Sequence, residues 1–283
     1  MKNFEFLIIG SNGLLGSRVV KILKKKKVNF LSIARKNSNF DLNLKNFKNI
    51  NKFFLKNRFK IVINCAGKID INYCENKFND ALIINCMLVK FLSQMSKKFN
   101  FKLVQISTDH VYKGKKLTLN TEKSKIFAIN KYAKTKILAE RYLKNLKKFL
   151  IIRTNFTGKK NNTFIDWLIK SIKGKKLINL FNDMYTSTLD AQTCAEIIIE
   201  LATLKSKGIY NVGTRNMISK EQFAIYVSKI LKTKIKYKSV SCDIQQVPRG
   251  KNLGLNVKKI EKKIGHKMPT SNQSIINLVK DYQ

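Results

Sequence analysis

The stretch Phe4-Glu-Phe-Leu-Ile-Ile-Gly10-Ser-Asn-Gly13-Leu-Leu-Gly16 constrains this chain more than any other. A short apolar run that ends on glycine reads as a buried strand. Apolar residues at 14, 15, 19, 20 and 23 then recur at helical spacing as far as Lys26. Strand, glycine turn and helix together form the context in which a glycine triplet binds a dinucleotide. Gly10 permits the tight turn, and Gly13 lets backbone N–H groups approach a pyrophosphate at the helix N-terminus. Gly16 lets the helix pack close to the sheet. The expected cradle is therefore Gly10, Asn12, Gly13, Leu14, Leu15 and Gly16.

The rest of the chain alternates in the same way. Strands are predicted over 28–33, 60–64, 103–106 and 149–153, with helices over 81–99 and 130–146. Such alternation implies a parallel sheet covered on both faces. After Thr157 the pattern changes. A polar loop, Lys159-Lys-Asn-Asn162, precedes helices over 164–172 and 191–204 and a strand over 208–212. Ser219 with Gln222 forms a capping box for a further helix. A strand from about Tyr237, a Pro-Arg-Gly turn at 248–250 and a helix near 273–282 end the chain. The expected fold is α/β: a Rossmann-type doubly wound parallel sheet with a smaller C-terminal α/β substrate-binding domain. The dinucleotide-binding domain would span 1–157 with 186–213 returning to it, and the substrate domain 158–185 and 214–283. A length of 283 residues suits that division.

Composition removes several alternatives. The formal net charge is +40, yet arginine occurs only at 18, 35, 58, 141, 153, 215 and 249. Base-reading sites favour arginine, and a lysine, asparagine, isoleucine and phenylalanine excess follows from A/T-rich codons. Specific nucleic-acid binding is therefore not expected, although lysines raise non-specific affinity for polyanions at low salt. No apolar window approaches the roughly 18 residues of a membrane span. The N-terminus has no small-residue cleavage site, so it is not read as a signal peptide. Five cysteines without a Cys-x-x-Cys pair read as reduced thiols, of which Cys65 and Cys86 are expected in the core. A cytoplasmic enzyme is expected. Two histidines and no clustered ligands give no metal site; Mg2+ enters only as a companion of a substrate diphosphate. A homodimer is left open.

The second strand ends in Ala34-Arg35-Lys36. An acidic residue there would favour NAD, whereas two cations suit a 2′-phosphate, so NADPH is expected, with NADH as the alternative. Asp41 and Leu42 are expected near the adenine, and Cys65, Ala66 and Gly67 beneath the cofactor. Ser107-Thr108-Asp109 follows the fourth strand, and Tyr132 and Lys136 share a face of the next helix. A nearby ammonium lowers a phenol pKa. The phenol can then donate a proton to a carbonyl oxygen while hydride reaches its carbon, and Thr108 can hydrogen-bond the same oxygen. The order of these motifs, rather than any one of them, carries the reading.

These residues resemble the extended short-chain dehydrogenase/reductases and, more narrowly, the dTDP-4-dehydrorhamnose reductases. The resemblance runs over nearly the full length. It is carried by Val62-Ile-Asn-Cys-Ala66, Cys74-Glu75 with Asn85, Ile106-Ser-Thr-Asp-His-Val-Tyr112 and Asn130-Lys-Tyr-Ala-Lys-Thr-Lys136 with Glu140. It continues through Ile152-Arg-Thr154, Asn161-Asn-Thr-Phe164, Asn182-Asp183 with Thr188, and Gly208-Ile-Tyr-Asn-Val212. The resemblance implies Thr108, Tyr132 and Lys136 as catalytic residues. Tyr132 and Lys136 would also touch the cofactor, a reduced nicotinamide dinucleotide. The substrate it implies is a dTDP-linked 4-keto deoxysugar, reduced in the last step to dTDP-L-rhamnose. Ser107, Asp109, Asn155, Phe156 and Arg249 are the expected substrate contacts, Arg249 toward a diphosphate.

This chain departs from the family pattern at several places. His110 stands for a tyrosine, Ala133 for a glycine, Ala128 for a proline and Phe156 for a tryptophan. Asp183-Met-Tyr-Thr-Ser-Thr188 lacks the usual loop glycine and proline. These changes bear on sugar and base specificity. His110 is expected to pack behind the active-site loop and Trp167 in a helix core. Three alternatives stay open: an epimerase, dehydratase or other nucleotide-sugar reductase of this fold, a non-catalytic subunit like that of methionine adenosyltransferase, and a basic nucleic-acid binder.

Overall fold

In the computed structural model, which describes residues 2–114, 118–161 and 163–282, β1 (Lys2–Ile9) is exposed at its start and fully buried from Phe6 to Ile9. The strands β2 (Phe30–Ala34), β3 (Phe40–Asp41), β4 (Asn57–Asn64), β5 (Lys102–Thr108) and β6 (Phe149–Thr154) follow. Among them run α1 (Leu14–Lys25), α2 (Phe47–Lys56), α3 (Ile71–Asn76), α4 (Phe78–Leu82), α5 (Leu88–Phe99) and α6 (Lys131–Leu143). Later come β7 (Phe156–Thr157), α7 (Phe164–Lys173), β8 (Leu177–Phe181), β9 (Tyr185–Thr186), β10 (Leu189–Asp190), α8 (Ala191–Thr203) and β11 (Gly208–Val212). The chain ends with β12 (Ile218–Ser219), α9 (Lys220–Ile230), β13 (Lys236–Val240), β14 (Asn252–Leu253), α10 (Lys258–Ile264) and α11 (Ser271–Lys280).

Seven strands form one sheet in the order β11-β6-β5-β4-β1-β2-β3. The pairings of β1 with β2 and β4, of β2 with β3 and of β4 with β5 are parallel. The chain winds outward one way from β1 to β3 and the other way from β4 onward. The switch between β1 and β4 is where an open sheet of this kind leaves a crevice at its strand ends. This is the Rossmann-type α/β fold that the alternation predicts.

By packing, the chain divides into two compact units. The first holds residues 1–108, 130–153 and 195–210, and the second 109–129, 154–194 and 211–283. The core of the first is aromatic and aliphatic: Phe54 stacks on Phe101 at 5.4 Å and on Phe99 at 6.2 Å. The sequence reading missed α2, although its buried Ile50, Phe53 and Phe54 keep helical spacing. Lys102 donates to the carbonyls of Ala202 and Leu204 at 2.8 and 2.7 Å. A cation thus answers the negative end of α8.

In the second unit, α7, α9 and α11 pack around Ile169, Phe223, Val227, Ile275 and Leu278. Each begins with a capping box: Thr163 with Asp166, Ser219 with Gln222, and Thr270 with Gln273. β8 pairs in parallel with β13, and β9 lies between β12 and β14. The two-residue strands of this unit are too short to leave a periodic signal. Asn162 of the predicted polar loop lies outside the described residues. Among the described residues no helix is long and apolar enough to cross a membrane.

Candidate active site

The glycine turn is built as the sequence requires. Gly10 has φ +78°, a conformation open to glycine at no steric cost. A Cβ there would lie 2.7 Å from the Ala66 amide nitrogen, and one at Gly16 would lie 2.3 Å from the Gly10 carbonyl oxygen. Gly13 ends the turn and α1 starts at Leu14. In front of the turn lies a cavity of about 570 Å3. Of the expected cofactor residues, Gly10, Asn12, Gly13, Arg35, Cys65, Ala66 and Gly67 line it. Lys36 and Leu44 line it too; Leu44 carries no motif and was missed. The Asn12 amide donates to the Lys36 carbonyl and ties the turn to the end of β2. Ser11 Oγ, within the turn, is buried without a hydrogen-bond partner among the described residues. Glycines that exclude any Cβ, an adjoining open volume and a cation at its wall fit a dinucleotide.

Other expected cofactor residues fall elsewhere. Leu15 and Gly16 are buried, and none of Leu14, Leu15 and Gly16 reaches the cavity wall. Asp41 accepts from the Ser38 amide and hydroxyl, both at 3.0 Å, and Leu42 packs on the core. Neither lines the cavity. Cys65 is half-buried on the wall, which corrects the expectation that it sits in the core; Cys86 is buried. The strand end exposes Cys65 because it lies in the opened loop after β4.

α6 carries the Tyr/Lys pair. Asn130 caps it, accepting from the Ala133 amide at 2.9 Å. Tyr132 and Lys136 are both buried, one turn apart. Lys136 Nζ donates to the Ile106 carbonyl at 3.1 Å, two residues before the buried Thr108. It also passes so near Gly67 that a Cβ there would lie 3.3 Å from it. The loop after β4, the end of β5 and α6 therefore meet at this ammonium. Burial pushes Lys136 down to about 8, with Cys74 and Glu140 acting the other way.

A π-helical turn, Ile83–Met87, interrupts the helix predicted over 81–99. It presents Asn85, whose Oδ1 accepts from the Lys68 amide at 2.8 Å. Its Nδ2 donates to the Lys68 carbonyl at 2.9 Å and to Thr135 Oγ1 at 3.0 Å. The wider turn spends one residue to brace the loop at Gly67 and Lys68 against α6; such turns recur at functional sites.

Ser107 is buried and donates to Glu140 Oε1 at 2.7 Å. Glu140 also accepts from Arg153 Nε at 3.0 Å and Nη2 at 2.6 Å. The side chains of Arg153 and Glu140 are 2% and 1% exposed. Ser107, expected on the substrate, is thus engaged inside the first unit, joining β5 to α6 and β6. In the sequence, Glu140 and Arg153 stand out only as members of longer motifs.

In the second unit a cavity of about 880 Å3 is lined by His110, Asn155, Trp167, Lys220 and Arg249, among others. Its described lining has no carboxylate. Asn155 donates to Asp109 Oδ2 at 2.7 Å and accepts from Thr188 Oγ1 at 3.0 Å. Asp109 is buried behind it. Phe156 pairs in β7 with Leu189 and does not line the cavity. Arg249 does, on a segment anchored by Asp183, which accepts from Ser241 Oγ at 2.6 Å and the Cys242 amide at 2.8 Å. These donors hold the Asp183 carboxyl below its usual range although burial opposes them.

One expectation needs correction here. Trp167 is 44% exposed and lines the cavity rather than a core, because α7 turns Ile165, Leu168 and Ile169 inward instead. His110 is buried, in keeping with the expected packing, and also lines this cavity; burial lowers its pKa. Lys220 was missed altogether: it begins an ordinary helix behind a capping box, and nothing in the surrounding sequence marks it.

The chain matches the RmlD substrate binding domain family over residues 4–283. It is 26% identical over 222 residues to the spore coat polysaccharide biosynthesis protein SpsK of Bacillus subtilis, covering 78% of this chain and 77% of that one. It is 26% identical over 234 residues to dTDP-4-dehydrorhamnose reductase of Aggregatibacter actinomycetemcomitans, covering 79% and 78%. The crystal structure of dTDP-4-dehydrorhamnose reductase from Bacillus anthracis in complex with NADP superposes with a TM-score of 0.91. At 24% identity it covers 99% of this chain and all of that one, a likeness of fold. Matched from its fourth residue to its last, the chain belongs to the RmlD substrate binding domain family and is an enzyme of the reductase type.

Proposed function

We propose that the chain reduces the 4-keto group of a nucleotide-linked deoxysugar with NADPH, the substrate being dTDP-4-dehydrorhamnose and the product dTDP-L-rhamnose. The observation that carries this reading lies in the first unit. Lys136 is buried beside Gly67, which lines the cavity at the glycine turn, and shares a helix face with the buried Tyr132. Relatives named as dTDP-4-dehydrorhamnose reductase and a neighbour in complex with NADP support it.

The glycine turn would hold the pyrophosphate, and Arg35 with Lys36 the 2′-phosphate. Bound there, NADPH supplies the hydride. Tyr132 donates its proton to the carbonyl oxygen as negative charge develops on it. Lys136 favours the phenolate that results, and Thr108 hydrogen-bonds the same oxygen. The cavity of the second unit would take the nucleotide end of the substrate, so the first unit would be the dinucleotide domain and the second the substrate domain. A cytoplasmic setting suits a soluble reduced cofactor and thiols that burial keeps protonated. Cys74, Cys86 and Cys242 are pushed up to about 11 and Cys194 to about 12. A homodimer remains part of the proposal.

The test is NADPH consumption by the purified protein with dTDP-4-dehydro-6-deoxy-L-mannose generated in place. Consumption that stops in Tyr132→Phe is expected. Absence of consumption while NADPH still binds would move the reading to another keto sugar or to a non-catalytic subunit.

A further inference from the structure

The cavity of the second unit is cationic from rim to interior. Lys170 and Lys176 are exposed at its edge. Lys220 and Arg249 are half-buried on its wall, and no carboxylate is among the described lining residues. Lys220 lies with its ammonium 4.9 Å from the centre of the Phe164 ring, itself part of the lining. An ammonium over a ring face keeps some stabilisation without water, but a ring does not replace a counterion. Asp109, whose charge favours the ammonium, also accepts from Asn155 at 2.7 Å and is not among the described lining residues. A lysine in this position costs folding energy, since burial disfavours its charge.

We propose that Lys220 binds the diphosphate of the substrate together with Arg249, and that it sets the preference of this cavity for a nucleoside diphosphate over a nucleoside. The inference rests on the nucleotide-sugar reading above and adds a residue to it that no motif marks. A diphosphate presents several acceptor oxygens and two or more negative charges, which an ammonium and a guanidinium together can meet. In the empty cavity burial pushes Lys220 down to about 8, with Asp109 opposing and Arg249 reinforcing the shift. His110, itself lowered by burial, also feels Lys220; the chain neighbour Glu221 accepts from Ser239 at 2.8 Å. A bound diphosphate adds negative charge and raises Lys220 again. Near pH 8, where roughly half of the empty-state lysines are neutral, binding therefore takes up a fraction of a proton.

The experiment is calorimetric titration of the full-length protein with dTDP and, separately, with inorganic pyrophosphate, at pH 8 in two buffers of different ionisation enthalpy. The wild type is expected to bind both with proton uptake. Lys220→Gln is expected to weaken both at least about tenfold, as loss of one partner of a partly desolvated charge pair does. Lys220→Arg is expected to keep the affinity and lose the uptake. Lys136 titrates in the same range, but it is present in all three proteins and drops out of the difference. Thermal unfolding of Lys220→Gln, expected at or above the wild-type temperature, shows that the variant folds. Equal affinity of Lys220→Gln and wild type for both probes overturns the proposal, as does a wild type that binds neither. Pyrophosphate binding that depends on Lys220, with no added affinity for dTDP, keeps the anion site and overturns the thymidine nucleotide instead.

Discussion

Replacing Glu140 by glutamine tests whether the arrangement of α6, β5 and β6 is held by one buried carboxylate. Its two oxygens take three hydrogen bonds, two of them from Arg153, whose side chain is 2% exposed. Glutamine keeps the shape and an oxygen for Ser107 but leaves the guanidinium without the negative charge that balances it. Removing one partner of a buried pair costs about 3–5 kcal/mol, and the retained oxygen places this variant near about 3. With urea m-values of about 1–3 kcal/mol per molar, the unfolding midpoint falls by at least about 1 M. The double variant Glu140→Leu with Arg153→Met removes both charges and should recover most of that loss, since well-packed apolar side chains often replace a buried pair at no cost. A second readout concerns Lys136. Burial has brought it down to about 8 and Glu140 acts to raise it, so losing the carboxylate lowers it further. Activity that needs charged Lys136 falls as pH rises through that pKa. The basic limb of kcat/KM therefore moves to lower pH in Glu140→Gln. A midpoint shift below about 0.3 M urea, or an unmoved basic limb, would refute the reasoning.

Tyr132→Phe keeps the ring and loses the donor; NADPH binding should be retained and turnover fall at least about 100-fold, checked by fluorescence titration and steady-state kinetics. Arg35→Asp should shift the ratio of kcat/KM values from NADPH toward NADH, because Arg35 lines the cavity at the end of β2; an unchanged ratio places the 2′-phosphate contact elsewhere. Gly16→Ala puts a Cβ 2.3 Å from the Gly10 carbonyl oxygen, a backbone clash that should cost about 1–3 kcal/mol or more and abolish NADPH binding, read by denaturation and titration.

The first unit was legible because its signals are local. Gly10, Gly13 and Gly16 fall within seven residues, and Tyr132 and Lys136 within one turn of helix. Each motif follows a buried strand whose end the alternation already fixed. What the sequence did not reveal there depends on partners far apart in the chain. Ser107 looked like a substrate residue from its place beside Thr108, but its hydroxyl belongs to Glu140, 33 residues on. Asp41 looked like an adenine contact, yet it does not line the cavity, and one of its oxygens accepts from Ser38. Asn85 carried a motif without a reason, and only the π-helical turn shows why an amide is needed there.

The second unit was opaque for the complementary reason. Its cavity is assembled from His110, Asn155, Trp167, Lys220 and Arg249, five positions spread over about half the chain with no shared spacing. In a sequence with a formal charge of +40, one more lysine after a capping serine carries no information. Charge becomes informative only with burial: an exposed lysine costs nothing to place and implies no ligand, whereas a lysine on a cavity wall costs desolvation and needs something to offset it. Trp167 follows the same logic from the apolar side. Helical spacing put it in a core, yet α7 buries Ile165, Leu168 and Ile169 and leaves the indole facing the cavity. In this unit the exposed indole of Trp167 and the half-buried ammonium of Lys220 line the same cavity.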